Sequence, residues 1–455
     1  MDLSGLRVND DEGDMYDFLK RGAMGNVSDR AAVTYHRGGI GDFLNRHEKD
    51  ATRALRDGMR GVREVAPHLF NRIADPRTLR AAWDFLARHG GSAPGVNGRR
   101  YADYTSAEVW SLCRCLTHAI RDGSYRPGPE RIVWIDKSSG RGQRPIVILN
   151  IEDRVVQRAV VLILQPVLDP LFDDRSFGFR PRRGHLHALA LAEYMTLSQQ
   201  RRVWVAEDIR DAFVHVPIPR LVQVVQTFLP AGDLLALLET VLPAQNLAGL
   251  RQGGSLSPLM LNVYLHHFLD RPWRSTRANL PLIRVADDLL VLCKTDAQAQ
   301  DAHAELQRLL QPTGMPLKGT PATTIHRMDD ASAEWMGFSI RNGTRGLAMT
   351  IANRSWTKLR AHLALMHTKS QPAVRARQTI RAWLTQRGPC YPSTDRPKLY
   401  RKIASTAAEF AFDEIPGADE LQARFQRAYA RWGKLRHQAR LNATTAVVSD
   451  DDDEE

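Results

Sequence analysis

Two adjacent carboxylates, Asp287 and Asp288, interrupt an apolar stretch that reads P-L-I-R-V-A-D-D-L-L-V-L-C from Pro281 to Cys293. Nine of the twelve residues from Leu282 to Cys293 are apolar, which is typical of a buried β-hairpin with the carboxylates at its tip. Burying two carboxylates side by side is costly, and a divalent metal ion can offset that cost while also doing chemistry. A simple Asp-Asp turn explains the same residues, because Asp favours turns.

A third carboxylate, Asp208, stands at the end of a second apolar run, in R-V-W-V-A-E-D-I-R-D-A-F-V-H-V from Arg202 to Val216. The alternation of Val203, Val205 and Ile209 predicts a strand that delivers Asp208 to its end. From there the carboxylate could reach the tip of the other hairpin. Asp208 could equally cap the next element.

Arginines alternate with aromatic residues in F-D-D-R-S-F-G-F-R-P-R-R-G-H, which follows a long predicted helix. Arginines supply charge for a nucleic acid backbone, and the rings of Phe177 and Phe179 could stack on bases. The arginines predicted to bind nucleic acid are Arg175, Arg180, Arg182 and Arg183.

Two further segments are suited to a phosphate-bearing ligand. Short strands at Ile132–Ile135 and Pro145–Leu149 flank a basic turn that carries Lys137, with Arg144 beside it, although a solvated turn would have the same composition. In R-Q-G-G-S-L-S-P-L-M-L-N, Gln252 and Gly253 precede a predicted helix, and the glycines allow close approach of the backbone to a ligand.

Composition favours a nucleic-acid partner. The 455 residues carry a net charge of +12 even though the last six, from Asp450 to Glu455, are all acidic. Such a basic excess, spread over several segments, indicates a polyanion. The four cysteines match neither a zinc knuckle nor a disulfide framework, and no apolar run is long enough to span a membrane, so we expect a cytoplasmic protein without a membrane partner.

The ordered motifs resemble those of bacterial reverse transcriptases of the group II intron type. The similarity covers roughly residues 70 to 390 and rests on segments in the family's order: P-G-V-N-G, R-P-I-V-I-L-N-I-E-D-R-V-V-Q-R-A-V, S-F-G-F-R-P-R-R-G, E-D-I-R-D-A-F, R-Q-G-G-S-L-S-P-L-M-L-N-V-Y-L, V-A-D-D and W-M-G-F.

The resemblance implies an α+β protein with the right-hand polymerase fold, composed of fingers, a ferredoxin-like palm and a helical thumb. On this basis we expect an N-terminal extension over residues 1–65, fingers with the start of the palm over 66–200, palm over 201–345, helical thumb over 346–441 and a disordered acidic tail over 442–455.

The resemblance also implies roles for individual residues. Asp208, Asp287 and Asp288 look like the catalytic carboxylates that hold two Mg²⁺ ions, with Mn²⁺ as an alternative and Ile209 beside them as a further metal contact. Phe213 is similar to the aromatic gate that excludes a ribose 2′ hydroxyl. The other residues predicted to contact the nucleotide are Lys137, Arg144, Arg210, Asp211, Ala212, Gln252 and Gly253.

This sequence departs from the family pattern at three points. Val285 replaces the Tyr of Tyr-Ala-Asp-Asp, Arg251 replaces the Pro before Gln-Gly, and Thr323-Thr324 replaces a late-palm Lys-Thr, so the lysine that assists pyrophosphate departure is absent unless Lys318 substitutes. Lys318 is also predicted to contact nucleic acid.

The activity expected from the resemblance is DNA synthesis from deoxynucleotides on an RNA template, in a domesticated role such as antiphage defence. A dedicated non-coding RNA is a further candidate partner. Two alternatives stay open: an intron maturase or RNA-binding splicing factor, and a polymerase that adds nucleotides without a template. The intact carboxylates argue against a pure RNA binder, which would gain nothing from a costly acidic cluster.

Overall fold

The computed structural model describes residues 39–136, 142–243, 249–343 and 346–451. The predicted phosphate contact Lys137 lies outside these ranges. Of the helices described, none is long and apolar enough to cross a membrane.

The first part of the chain is mainly helical and contains one β-hairpin. Its elements are α1 (Gly39–Ala54), α2 (Gly58–Ile73), α3 (Pro76–His89), α4 (Ser106–Arg121), β1 (Arg131–Asp136), β2 (Gln143–Ile148), α5 (Ile151–Leu168) and α6 (His185–Ser198). Asp75 caps α3 by accepting a hydrogen bond of 2.8 Å from the Arg77 N–H, and Pro76 takes the first helical position. β1 and β2 pair antiparallel, as the sequence predicts.

The palm is a four-stranded antiparallel sheet with helices between its strands. Its elements are β3 (Val203–Asp208), α7 (Ile218–Phe228), α8 (Gly232–Val241), α9 (Ser257–Leu265), α10 (Arg271–Thr276), β4 (Leu282–Val285), β5 (Asp288–Cys293), α11 (Asp296–Leu310), α12 (Pro321–Thr324) and β6 (Ile325–Arg327). A π-helical turn, His266–Asp270, joins α9 to α10. The spatial order β4-β5-β3-β6 and the β-α-β-β-α-β succession are those of a ferredoxin-like domain.

A three-stranded meander and four helices complete the chain. They are β7 (Ala333–Trp335), β8 (Phe338–Gly343), β9 (Gly346–Ile351), α13 (Asn353–Met366), α14 (Pro372–Thr385), α15 (Arg396–Ala408) and α16 (Ala418–Asp451). The tail expected to be disordered begins at residue 442, whereas the backbone of α16 is helical as far as Asp451.

The palm sheet is buried on both faces, which explains the nearly continuous apolar run of its strands. Val205 and Val291 face a core shared with α5 and the N-terminal helices. Their neighbours Trp204 and Leu292 face a second core, shared with the meander and the thumb helices. Because side chains alternate along each strand, one face of the sheet packs against α5 and the N-terminal helices, and the other packs against the meander and the thumb helices.

The N-terminal helices belong to the first of these cores. Leu44 of α1 and Val62 of α2 are buried in the core that also contains Val155 of α5. The domain boundary expected at residue 65 falls inside α2. Residues 39–65 therefore contribute to the same core as the helices that we expect to form the fingers.

Candidate active site

The sheet brings the three predicted catalytic aspartates to one end of its central strands. Asp208, the last residue of β3, lies directly opposite Asp288, the first residue of β5, in the antiparallel register. Asp287 lies in the tight turn between β4 and β5, and its carbonyl accepts a hydrogen bond of 3.0 Å from the Ile209 N–H. This backbone bond ties the hairpin turn to the end of β3. The predicted hairpin, with its carboxylates at the tip, is confirmed.

The turn that carries Asp287 has a strained backbone held by its neighbours. Ala286 adopts a left-handed conformation with φ 61°, which a residue with a Cβ rarely adopts. Gly178 packs directly against it, since a Cβ added at Gly178 would lie 2.1 Å from the Ala286 nitrogen. The Ala286 carbonyl accepts a hydrogen bond of 3.1 Å from the Arg284 guanidinium.

Arg284 is the largest charged side chain in the interior of the palm, and it stabilises the turn between β4 and β5 that carries Asp287. Its side chain is 1% exposed and pairs with both carboxylate oxygens of Asp270, at 2.8 and 2.6 Å. It also donates to the Asn262 side-chain oxygen at 2.9 Å, while the Asn262 amide donates to the Gly178 carbonyl at 2.8 Å. One buried network thus holds both sides of the turn.

Burial raises the pKa of all three aspartates. Desolvation, followed by repulsion from Asp208, raises the pKa of Asp287 to about 6. Desolvation, followed by repulsion from Asp287, raises the pKa of Asp288 to about 7. Desolvation also raises the pKa of Asp208, although a hydrogen bond from Lys318 opposes it. Burial, together with repulsion between the carboxylates, therefore disfavours the charged forms of these side chains.

These donors have the chemistry to hold a divalent cation, but they are not gathered around one point. In the part of the chain that the structure describes, no three His, Cys, Asp or Glu side chains are grouped closely enough to hold a metal ion. The Lys318 ammonium is instead 2.6 Å from Asp208 Oδ1. A metal bound by Asp208 would have to share or replace this contact.

Phe213, the predicted sugar gate, lies on the turn after β3. It is half-buried and makes an edge contact with the ring of Phe179, with centroids 6.0 Å apart. Its carbonyl accepts a hydrogen bond of 2.7 Å from the Leu250 N–H, which attaches the turn to the segment before Gln252. Of its neighbours in the turn, Ala212 is buried, and Asp211 has a left-handed backbone with φ 46°.

The backbone N–H of Arg210 is already used in a hydrogen bond within the protein. Its N–H donates to the Pro316 carbonyl at 2.8 Å, which removes one of the donors expected to face a triphosphate. The Arg210 side chain is exposed.

The loop at Gln252 and Gly253 packs against the fingers hairpin. The Gln252 carbonyl accepts a hydrogen bond of 2.8 Å from the Val147 N–H of β2. Gly253 has φ 112°, and a Cβ there would lie 2.6 Å from the Val147 carbonyl oxygen. The close backbone approach that requires this glycine is therefore an approach to β2. Arg251, at the position where the family has Pro, pairs with Glu130 at 2.7 Å.

Among the arginines predicted to bind nucleic acid, Arg180 has a different role. It is buried, and its Nε donates to an Asp169 carboxylate oxygen at 3.0 Å. Its remaining donors reach the carbonyls of Asp169, Asp173 and Ser176 and the second Asp169 oxygen. Because every N–H is used inside the protein, Arg180 has no donor left for a phosphate, contrary to the prediction. Phe177 is also buried and is not available for stacking.

The other basic residues of this group are accessible to different degrees. Arg182 is exposed with φ 58°, Arg175 is half-buried, and Arg183 is half-buried and bonded to Asp174 at 3.0 Å. Arg144 on β2 is half-buried, and its Nε has no hydrogen-bond partner among the described residues.

Several site residues could not be identified from the sequence. Glu207 is buried and accepts hydrogen bonds from the Asp208 and Gly319 N–H groups at 2.8 and 2.9 Å, while its other oxygen is 3.2 Å from His303 Nε2. From the thumb, Arg354 of α13 lowers the pKa of Asp288, opposing burial. The only sequence signal that could have pointed to such residues is a polar residue within an apolar run, as Glu207 is within residues 203–209.

Comparison with known proteins agrees with this geometry. Residues 135–340 match the family model described as Reverse transcriptase (RNA-dependent DNA polymerase). The group II intron-encoded protein LtrA of Lactococcus lactis subsp. cremoris is 29% identical over 231 residues, which cover 47% of this chain and 36% of LtrA. Protein YkfC of Escherichia coli (strain K12) is 30% identical over 213 residues, which cover 44% of this chain and 55% of YkfC.

Among solved structures, that of telomerase from Candida albicans in complex with a fragment of telomeric RNA overlaps 70% of this chain and 67% of its own, at 11% identity and a TM-score of 0.37.

The ferredoxin-like palm and the family match together support the right-hand polymerase fold, which confirms the predicted fold class. More narrowly, residues 135–340 match the reverse transcriptase family, and the chain is similar to bacterial group II intron proteins, as its motifs indicated. The chain spans between about a third and just over half the length of these relatives. Enzymes of this family use divalent metal ions.

Proposed function

We propose that the protein is an RNA-directed DNA polymerase that extends a primer with deoxynucleotides on an RNA template. The observation that carries this proposal is the juxtaposition of Asp208 and Asp288 at facing strand ends, with Asp287 in the adjoining turn, inside a reverse transcriptase domain. Their raised pKa values support a cationic cofactor, because a buried acidic cluster short of positive charge is stabilised by a metal.

In this proposal Asp208, Asp287 and Asp288 hold two Mg²⁺ ions, with Mn²⁺ as a substitute and Ile209 as a neighbouring contact. When bound, such ions activate the primer 3′ hydroxyl and neutralise charge on the leaving pyrophosphate. The protein positions the carboxylates that would hold the ions. The Ile209 N–H binds the carbonyl of Asp287, and the Arg284 guanidinium binds the carbonyl of Ala286 in the same turn.

The nucleotide would lie between the palm and the fingers hairpin. Phe213 would then stand beneath the sugar, and the loop at Gln252 and Gly253 would line the pocket from β2. Arg144 supports a phosphate role because its Nε lacks a partner among the described residues. Asp211 and Ala212 belong to the same turn as Phe213. Arg175, Arg182 and Arg183 are the arginines that we propose for the nucleic acid backbone.

The test is primer extension by the purified protein on an RNA template with a DNA primer. We expect incorporation of deoxynucleotides in Mg²⁺ or Mn²⁺, no incorporation in excess EDTA and little incorporation of ribonucleotides. Reactions without template distinguish a copying enzyme from one that adds nucleotides freely. Absence of templated synthesis with either metal, by a protein shown to be folded, would refute the proposal.

A maturase is the second candidate, favoured by the similarity to a group II intron-encoded protein. A protein that acts only by binding RNA would bind it equally well with and without its aspartates. We therefore compare the RNA affinity and primer extension of the parent with those of Asp287→Asn. Unchanged affinity with lost extension supports a polymerase, whereas absence of extension in the parent leaves RNA binding as the function. The role in defence stays a prediction.

A further inference from the structure

Lys318 forms the closest charged contact to the proposed catalytic cluster. Its Nζ is 2.6 Å from Asp208 Oδ1, and the two side chains are 48% and 32% exposed. The Lys318 ammonium donates a hydrogen bond to this oxygen and places positive charge directly beside the Asp208 carboxylate.

The backbone around Lys318 is fixed beside β3, so the contact follows from the fold. The Lys318 N–H donates to the Asp208 carbonyl at 2.9 Å, and Leu317 forms an isolated antiparallel bridge with Ile209. Pro316 accepts the Arg210 N–H. Residues 316–318 thus run as an extra short strand along residues 208–210, which delivers the lysine to the carboxylate.

Glu207 secures the next residue of this segment. Its Oε1 accepts the N–H groups of both Asp208 and Gly319, and its Oε2 faces His303. Gly319 has no room for a side chain, since a Cβ there would lie 2.2 Å from Thr324 Cγ2. The buried Glu207 carboxylate and the close-packed Gly319 therefore hold the segment that carries Lys318 beside β3.

We propose that Lys318 is a tethered cation that competes with a divalent metal for Asp208 and so sets the metal concentration the enzyme requires. This inference rests on the proposed function. It is supported by the contact itself, since Asp208 Oδ1, one of the expected ligand oxygens, is already paired with an ammonium. The side chain is exposed enough to swing aside when a metal binds.

The experiment measures Mn²⁺ binding by isothermal titration calorimetry at pH 8, without nucleotide, in the full-length parent and in Lys318→Gln and Lys318→Ala. Removing the ammonium removes both the competitor and its repulsion of the metal, so we expect binding about 3- to 10-fold tighter. Half-saturating Mg²⁺ in primer extension should fall by a similar factor. Lys318→Arg, which keeps the charge, should retain an affinity close to the parent.

Lys294→Gln is the matched control, since Lys294 is an exposed palm lysine that follows β5 at the end of the sheet remote from Asp288. It should leave metal affinity unchanged. If the parent binds Mn²⁺ and both neutral variants bind it with equal or lower affinity, the competition is refuted while the proposed function stands. If neither the parent nor any variant binds Mn²⁺ and the parent does not extend a primer, both proposals are refuted.

Discussion

Arg284 and Asp270 form a two-pronged ion pair in the interior of the palm, with both side chains less than 5% exposed. Arg284 is also the donor to the Ala286 carbonyl, one residue before Asp287. This ion pair joins β4 to the end of a π-helical turn and so holds the hairpin turn that carries Asp287 in place.

Breaking this pair should destabilise the whole palm. In Arg284→Met, the Asp270 carboxylate stays buried without its partner, a change that typically costs about 3 to 5 kcal/mol. The free energy of unfolding, measured by urea denaturation, should fall by that amount. Arg327→Met is the control, because Arg327 pairs with Asp296 at the surface, where water screens the pair, and its loss should lower the free energy of unfolding much less. Equal losses in the two variants would show that the buried pair has no special role.

The aspartate cluster should make the metal-free protein less stable as pH rises. The folded-state pKa values of Asp287 and Asp288, about 6 and about 7, lie above the value of about 3.9 for an unfolded Asp. The folded state therefore binds more protons than the unfolded state between these values, and stability falls as pH rises from about 4 through 7.

The variant Asp288→Asn removes this effect. In EDTA at pH 8 we expect it to unfold at a higher urea concentration than the parent, with the difference shrinking towards pH 4, where Asp288 is protonated in the folded state and about half protonated in the unfolded state. Asp330→Asn, in an exposed turn, is the control. A parent whose stability relative to Asp288→Asn does not vary with pH would contradict the raised pKa.

Phe213 should control the choice of sugar. Phe213→Val shortens the side chain beneath the proposed sugar site and removes a clash whose cost is about 1 to 3 kcal/mol, or ten- to a few hundredfold in discrimination. Single-nucleotide incorporation should show increased use of ribonucleotides with deoxynucleotide use largely retained. Phe268→Val, a half-buried aromatic elsewhere in the same core, is the control. An active Phe213→Val enzyme with unchanged preference would make Phe213 a packing residue.

Arg251 and Glu130 should act together on nucleotide binding, because their ion pair joins the segment of Gln252 to the start of the fingers hairpin. We expect each alanine variant to raise KM for deoxynucleotides more than it lowers kcat. The double variant should be no more impaired in nucleotide binding than the more impaired of the two single variants. This corresponds to a coupling energy of about 1 kcal/mol or more. Strictly additive effects of the two substitutions would show that the pair is not a functional unit.

The hairpins, the strand ending at Asp208 and the ferredoxin-like order could be predicted because they depend on local periodicity and on motif order. The partners of single polar residues could not. Arg180 looks like a nucleic-acid residue in its basic segment, yet its partner Asp169 lies on the preceding helical turn. Asn150 takes the N-cap position of α5, a position that Asn favours, but its side-chain oxygen accepts a hydrogen bond from the Asn97 N–H and does not cap the helix. Such pairings are decided by tertiary packing.

Pre-steady-state primer extension by Asp208→Asn tests the central claim most directly. Asn preserves the size of the side chain and removes the charge that a metal requires, so we expect the folded variant to incorporate deoxynucleotides slower than the parent by about three orders of magnitude or more at saturating Mg²⁺. Asp330→Asn should match the parent. Incorporation by folded Asp208→Asn at the parent's rate would contradict the assignment of the aspartate cluster as the catalytic centre.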